Sequence, residues 1–249
     1  MKLTILGSGD AFGTGGRLQK SLHLSASDQN ILVDCGATTL IAMAQAELDP
    51  NAISAVVLTH LHGDHFSGLV WFLLHAKHVA KRSEPLTIFG PAGTRERLAT
   101  AAEALFPGAS YPPSHFDLDF VEIAEATTLD VAGFTISAFR VRHACGAPPY
   151  ALRIERGGNV IAFSGDTEWT DNLFKASFDA DVFVCECFGY EGSKPGHMTW
   201  ETLRTKLPQL TAKQILLTHM GPEMLAKRDT VNEPRVGFAE DGLEIKFAT

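Results

Sequence analysis

Between positions 60 and 65 the chain reads His60-Leu61-His62-Gly63-Asp64-His65, which sets four metal-type side chains within six residues. The run before it, Ala55 to Thr59, is apolar and β-branched, as suits a buried strand, and Phe66 to Val79 is apolar enough for a helix packed on a sheet. The cluster is therefore expected on a strand-to-helix loop. In an extended segment His60 and His62 project to one side, while Asp64 and His65 turn back from the start of the helix. Imidazole nitrogens with a carboxylate suit zinc or another borderline first-row ion, and two pairs leaving one loop suit two adjacent ions better than one closed tetrahedral site. A polar surface loop that merely holds three histidines fits this context less well.

Three further residues of the same chemistry close strand-like segments. His143 follows Thr135 to Val141, Asp166 follows Val160 to Phe163, and His219 follows Gln214 to Leu217. Leu58-Thr59-His60 is echoed by Leu217-Thr218-His219, an apolar strand delivering Thr and then His, which suggests two related half-folds facing each other. Seven candidate ligands result: His60, His62, Asp64, His65, His143, Asp166 and His219. One ion takes about four. Two ions use them all if one carboxylate bridges, and Asp166, remote in sequence from every histidine, is the natural bridge. Ions joined in this way could share a hydroxide formed at neutral pH, which is the expected nucleophile, and they would absorb charge on the electrophile's oxygen. No serine or cysteine nucleophile is then needed.

The elements that must position these groups read as two sheets between helix layers. Lys2 to Leu6 is a first strand. It runs into Gly7-Ser8-Gly9-Asp10-Ala11-Phe12-Gly13, where a dinucleotide fingerprint would need glycine at position 12; Phe12 stands there and no clear helix follows. The loop is expected instead to bring backbone close to the metal pocket. Ser21 to Ser25 and Asn30 to Val33 form strands around a turn, and the second ends in Asp34, placed either to accept the second N–H of a ligating histidine or to cap its turn. Thr38 to Leu48 and Thr94 to Leu105 are helical in composition, with Thr94 as a cap of the second. Leu86 to Phe89, Phe116 to Ile123, Thr127 to Val131 and Val182 to Cys187 are strand-like, residues 107 to 115 are a proline-rich loop, and Ala151 to Glu155 and Val160 to Phe163 pair as a hairpin. Thr199 to Leu207 is a helix. His23, His75, His78 and His115 have no partner in the sequence and read as structural or surface residues.

Length and 45% hydrophobic content allow a full core, read as a single domain over residues 1–249. A net charge of -8 argues against long nucleic acid and for a small-molecule substrate. No secretory core or membrane-length apolar run is visible, so a cytoplasmic protein with no membrane contact is expected. The cysteines Cys35, Cys145, Cys185 and Cys187 are too few for a disulfide scaffold and read as buried thiols.

The order H-x-H-x-D-H, then a lone His, a lone Asp and a lone His, resembles the metallo-β-lactamase superfamily over nearly the whole chain. That resemblance implies an α/β fold, a four-layer αββα sandwich. It also implies that His60, His62 and His143 hold one ion, that Asp64, His65 and His219 hold the other, and that Asp166 touches both. The ions would be divalent, Zn2+ first, with Mn2+ or Fe as alternatives. Leu6-Gly7-Ser8-Gly9, Ser164-Gly165-Asp166-Thr167 and Gly196-His197-Met198-Thr199 are similar to the ribonuclease Z and phosphodiesterase branch. By that resemblance Glu186 and His197 act together at the leaving group, and Asp64 belongs with them among the catalytic residues. A His held charged by a carboxylate is a good acid for an alkoxide. Residues 144 to 165 leave no room for the long arm with which many ribonuclease Z enzymes grip tRNA, and Cys185 stands where that branch often has histidine. Cys185 and Cys187 should flank Glu186 on the other face of its strand. The expected activity is hydrolysis of a small, nucleotide-derived phosphodiester. Thioester, lactone or carboxylic ester hydrolysis and a non-catalytic metal-binding accessory role are the alternatives, and the resemblance is compatible with a homodimer.

Overall fold

The computed structural model describes residues 1–108 and 115–248. The chain lays down one sheet, then a second, and returns to the first. The first sheet takes β1 (Lys2–Gly7), β2 (Ser21–Ala26), β3 (Gln29–Val33), β4 (Ile53–Val57), β5 (Leu86–Gly90) and β6 (Leu118–Glu122). The second takes β7 (Thr128–Val131), β8 (Phe134–Arg140), β9 (Tyr150–Arg156), β10 (Asn159–Phe163), β11 (Val182–Glu186), β12 (Gln214–Thr218) and β13 (Val236–Phe238). β14 (Glu244–Lys246) then pairs antiparallel with β1. Each sheet has seven strands, in the orders β14-β1-β2-β3-β4-β5-β6 and β13-β12-β11-β10-β9-β8-β7.

Three apolar layers hold these sheets. Ile5, Val33 and Val57 of the first sheet interleave with Phe134, Leu152 and Phe163 of the second, all fully or almost fully buried. Alternation sends the neighbouring residues Leu32, Val56 and Ile88 outward, where α1 (Thr39–Gln45), α3 (Gly68–His78) and α4 (Thr94–Leu105) cover them. Phe183, Cys185 and Leu217 face outward from the second sheet under α5 (Asn172–Ala176), α6 (Trp200–Lys206) and α7 (Pro222–Lys227). This is the αββα sandwich. Each large apolar side chain taken from water in it contributes roughly 1.5–3 kcal/mol before entropy is charged.

Several element boundaries differ from expectation for local reasons. The helix expected from Phe66 begins at Gly63: α2 (Gly63–Phe66) comes first, and Ser67, itself at helical angles, joins it to α3. Gly36 and Gly68 cause this closeness, since a Cβ on Gly36 would stand 2.3 Å from Asp64 O and one on Gly68 would stand 2.0 Å from Gly36 O. Thr94 does not cap α4. It is the first helical residue, Gly93 takes the cap position at φ 85°, and the Thr94 hydroxyl donates to Pro91 O. Thr199 does cap α6, its Oγ1 accepting from Thr202 N. The loop expected over residues 107–115 lies for the most part outside the described residues. Among the described residues no helix is long and apolar enough to cross a membrane.

Candidate metal centre

All seven candidate ligands converge where the two sheets' strand ends meet. His60 follows β4, His143 follows β8, Asp166 follows β10 and His219 follows β12, while Asp64 and His65 ride on the single turn of α2. Their polar atoms form two groups, His60 with His62 and His143, and Asp64 with His65, Asp166 and His219; within each group the atoms lie within 4.8 Å of one another. Asp166 stands between the groups. Its Oδ1 is 3.2 Å from His65 Nε2, and its Oδ2 is 3.2 Å from His219 Nε2, 3.8 Å from His60 Nε2 and 3.9 Å from His143 Nε2. Asp64 Oδ2 is 3.3 Å from His65 Nε2 and 3.2 Å from His219 Nε2.

Neighbouring groups set the ring orientations. His65 Nδ1 faces Asp34 Oδ2 at 2.7 Å, and Asp34 Oδ1 also accepts the Thr59 amide at 2.8 Å, so Asp34 both backs a histidine and ties its strand end to the next. Its φ of 59° lies in the left-handed region that Asp tolerates better than most side chains. His143 donates Nδ1–H to Gly196 O at 2.7 Å, which leaves its Nε2 as a bare lone pair 2.8 Å from His62 Nδ1. His219 sits at φ 56°, an expensive conformation for a bulky residue, with its amide held by Ser8 O at 2.9 Å. The glycine loop thus does bring backbone to the pocket.

A divalent cation fits this arrangement. His60 Nε2, His65 Nε2 and Asp166 Oδ1 are buried and make no hydrogen bond among the described residues, and each such orphan costs about 1–3 kcal/mol. All three belong to the cluster. Burial holds His60 well below the ordinary histidine range and lowers His62 and His143, so these rings are neutral donors of lone pairs. Burial would also lower His65, but Asp166, Asp64 and Asp34 outweigh it and raise it well above that range. Burial opposes ionisation of Asp166, yet His219 and His65 hold it well below the usual carboxylate range. The second group is therefore a strongly anionic socket that a cation can satisfy in place of a proton.

Beside the cluster stands a second pair. Glu186 is completely buried in β11, an interior strand between β10 and β12, and accepts hydrogen bonds from the Thr167 and Met198 amides. His197 Nδ1 lies 3.2 Å and 3.3 Å from its two oxygens. Burial pushes Glu186 up. Burial alone would lower His197, but the hydrogen bond to Glu186 prevails and raises it to about 9, so the shared proton rests on His197 at neutral pH. The His197 side chain remains 24% exposed and lines a cavity of about 650 Å³ with His62 and His143. Cys185 and Cys187 point to the opposite face of β11 and pack in the outer core.

Other residues met here were not singled out by the sequence. Arg97 of α4 donates from Nη1 to Leu61 O at 3.1 Å and to Cys145 O at 3.3 Å, joining the loop of His60 and His62 to the loop of His143. Glu168 accepts the Gly196 amide at 2.8 Å and so fixes the carbonyl that orients His143. Lys20, fully buried, donates to Thr218 Oγ1, and burial depresses it to about 8 against the pull of Asp166, Asp34, Asp241 and Asp64. None carries a local motif. His23 instead pairs with Asn30 at 3.0 Å, and it joins no metal-type cluster among the described residues, nor do His75, His78 and His115.

Comparison with known proteins places this geometry in a lineage. A family profile described as "Anti-Pycsar protein Apyc1" matches residues 1–244. A ribonuclease Z of Agathobacter rectalis is 27% identical over 291 aligned residues, covering 96% of this chain and 94% of that one. The metallo-β-lactamase fold protein YhfI of Bacillus subtilis superposes with a TM-score of 0.80 at 22% identity over 98% of both chains. The short form of human tRNase Z superposes with a TM-score of 0.79 at 24% identity over 100% of both.

Proposed function

The chain belongs to the anti-Pycsar protein Apyc1 family, in the ribonuclease Z and phosphodiesterase branch of the metallo-β-lactamase superfamily, and from its site we propose that this metal-dependent hydrolase cleaves a small, nucleotide-derived phosphodiester. The observation that carries the reading is the Glu186–His197 pair beside the two ligand groups. A leaving alkoxide needs a proton, whereas an activated carbonyl ester has less use for one.

His60, His62 and His143 would hold one divalent ion, Asp64, His65 and His219 a second, and Asp166 both. Bound there, zinc or a similar ion would supply hydroxide at neutral pH and offset charge on the phosphoryl oxygens. The protein's own part is the proton. Glu186 keeps His197 charged and oriented through Nδ1, leaving Nε2 to protonate the departing oxygen. Asp34 and Gly196 O hold the tautomers of His65 and His143, so their Nε2 atoms face the centre. The site opens through the cavity at His62, His143 and His197, whose volume suits a small molecule.

An RNA end is the second reading, favoured by the name ribonuclease Z of the relatives. Against it stand the net charge of -8 and the stretch from His143 to Asp166, which a short loop and the β9–β10 hairpin occupy without a long arm. The test is metal content per chain measured alongside turnover of cyclic nucleotides, dinucleotides, a short RNA, a thioester and a lactone. Two ions with nucleotide diesters as the best substrates is the expected result. Faster turnover of the thioester or lactone would overturn the diester reading, and a marked preference for RNA would replace it with the second.

A further inference from the structure

A second cavity, about 380 Å³ in volume, adjoins the first and shares Glu168 and His197 with it. Trp169 supplies its aromatic wall, and Glu168, Ser193, Lys194 and Thr202 its polar rim. The indole is set in place before any ligand arrives. Its Nε1–H points to Asp171 Oδ1 at 3.3 Å, Phe174 meets it edge-on with centroids 4.9 Å apart, and the ammonium of Lys206 stands over one face of the ring, 5.5 Å from its centroid. A partly buried tryptophan with a fixed ring, rimmed by hydroxyl, ammonium and carboxylate groups, matches a ligand that is flat and apolar on its faces and polar at its edge.

We propose that this cavity binds the nucleobase of the substrate, stacked against Trp169, on the arm of the diester whose oxygen leaves toward His197. The inference rests on the nucleotide reading of the site, because the shared position of His197 is what connects base and leaving oxygen. Stacking reads the face common to all bases, so the subsite accepts purines and pyrimidines alike and discriminates nucleotides from baseless diesters.

Titration of the zinc-loaded protein with adenosine 5′-monophosphate, uridine 5′-monophosphate and ribose 5-phosphate, followed by tryptophan emission, tests it directly. Both nucleotides should quench a share of the emission from the three tryptophans, ribose phosphate should not, and Trp169→Phe should remove the difference. In kinetics, the ratio of kcat/KM for a nucleotide diester over glycerophosphoethanolamine should fall about tenfold in Trp169→Ala, with most of the change in KM. Trp169→Phe should restore much of that ratio, which a merely misfolded variant would not do. Equal quenching by ribose phosphate, unchanged quenching in Trp169→Phe, or an unchanged ratio would each overturn the subsite. Nucleotide quenching through Trp169 without turnover of any diester would support the subsite while removing the chemistry proposed above, so the two can fail separately.

Discussion

The two candidate ligand groups meet at Asp166 but differ in charge and access. His60, His62 and His143 are three neutral imidazoles, their nearest carboxylate oxygen about 3.8 Å off, and the rings of His62 and His143 border the open cavity. Asp64, His65, Asp166 and His219 are all buried, with two carboxylates within 3.3 Å of the imidazole nitrogens and a third, Asp34, behind His65. Attraction for a divalent cation grows with anionic neighbours and with exclusion of water. The carboxylate-rich group is therefore expected to fill first and hold tightest, and the imidazole group to fill second and exchange with solvent.

The largest break in this asymmetry should come from the residue common to both sides. Asp166→Ala is expected to lose at least about 10³-fold in hydrolysis of bis-nitrophenyl phosphate, together with at least one bound ion by elemental analysis. Two retained ions with near-normal turnover would dismiss the bridging role. His197→Ala lies outside both groups and should cost about 10²-fold or more on alkyl diesters but little on nitrophenyl esters, whose leaving group departs without a proton. Equal losses on both would remove its role as acid. Arg97→Ala and Asp34→Ala then separate the sides. Calorimetric titration with zinc should show the weaker binding step reduced about 10–100-fold by the first and the tighter step reduced by a similar factor in the second; the opposite assignment would invert the comparison. The smallest effect is in pH. His197 is needed charged and keeps its proton up to about 9, so the wild-type rate on alkyl diesters should fall as pH rises through that value, and His197→Ala should lack this descending limb.

What the sequence revealed and what it hid divide along chemical lines. The convergence of the candidate ligands was legible because metal chemistry uses few residue types and the fold delivers them at strand ends, as Thr59-His60 and Thr218-His219 announce twice. Cys185 and Cys187 could be read as core from alternation alone, and their burial agrees. Arg97 and Glu168 could not be found this way. Their partners are Leu61 O, Cys145 O and the Gly196 amide, and backbone groups leave no trace in a sequence. Lys20 reads as a loop residue before β2 until tertiary packing surrounds it with carboxylates. The start of α2 was displaced for a related reason, because the close seating of Gly36 and Gly68 that allows it is a long-range contact.

The return of the chain to its beginning bears on how the protein is made. Asp241 accepts hydrogen bonds from Ser8 N, Ser8 Oγ and Leu18 N, and β14 closes the edge of β1 from the far end of the sequence. Ser8 is also the residue that seats His219. Until the residues beyond 240 are in place, β1 lacks a partner on its outer edge and Ser8 lacks the Asp241 carboxylate. Contacts of such span fold slowly and leave an unpaired strand available to other chains in the interval. The His60–His65 loop alone completes neither candidate group, because His143, Asp166 and His219 all come from the second sheet.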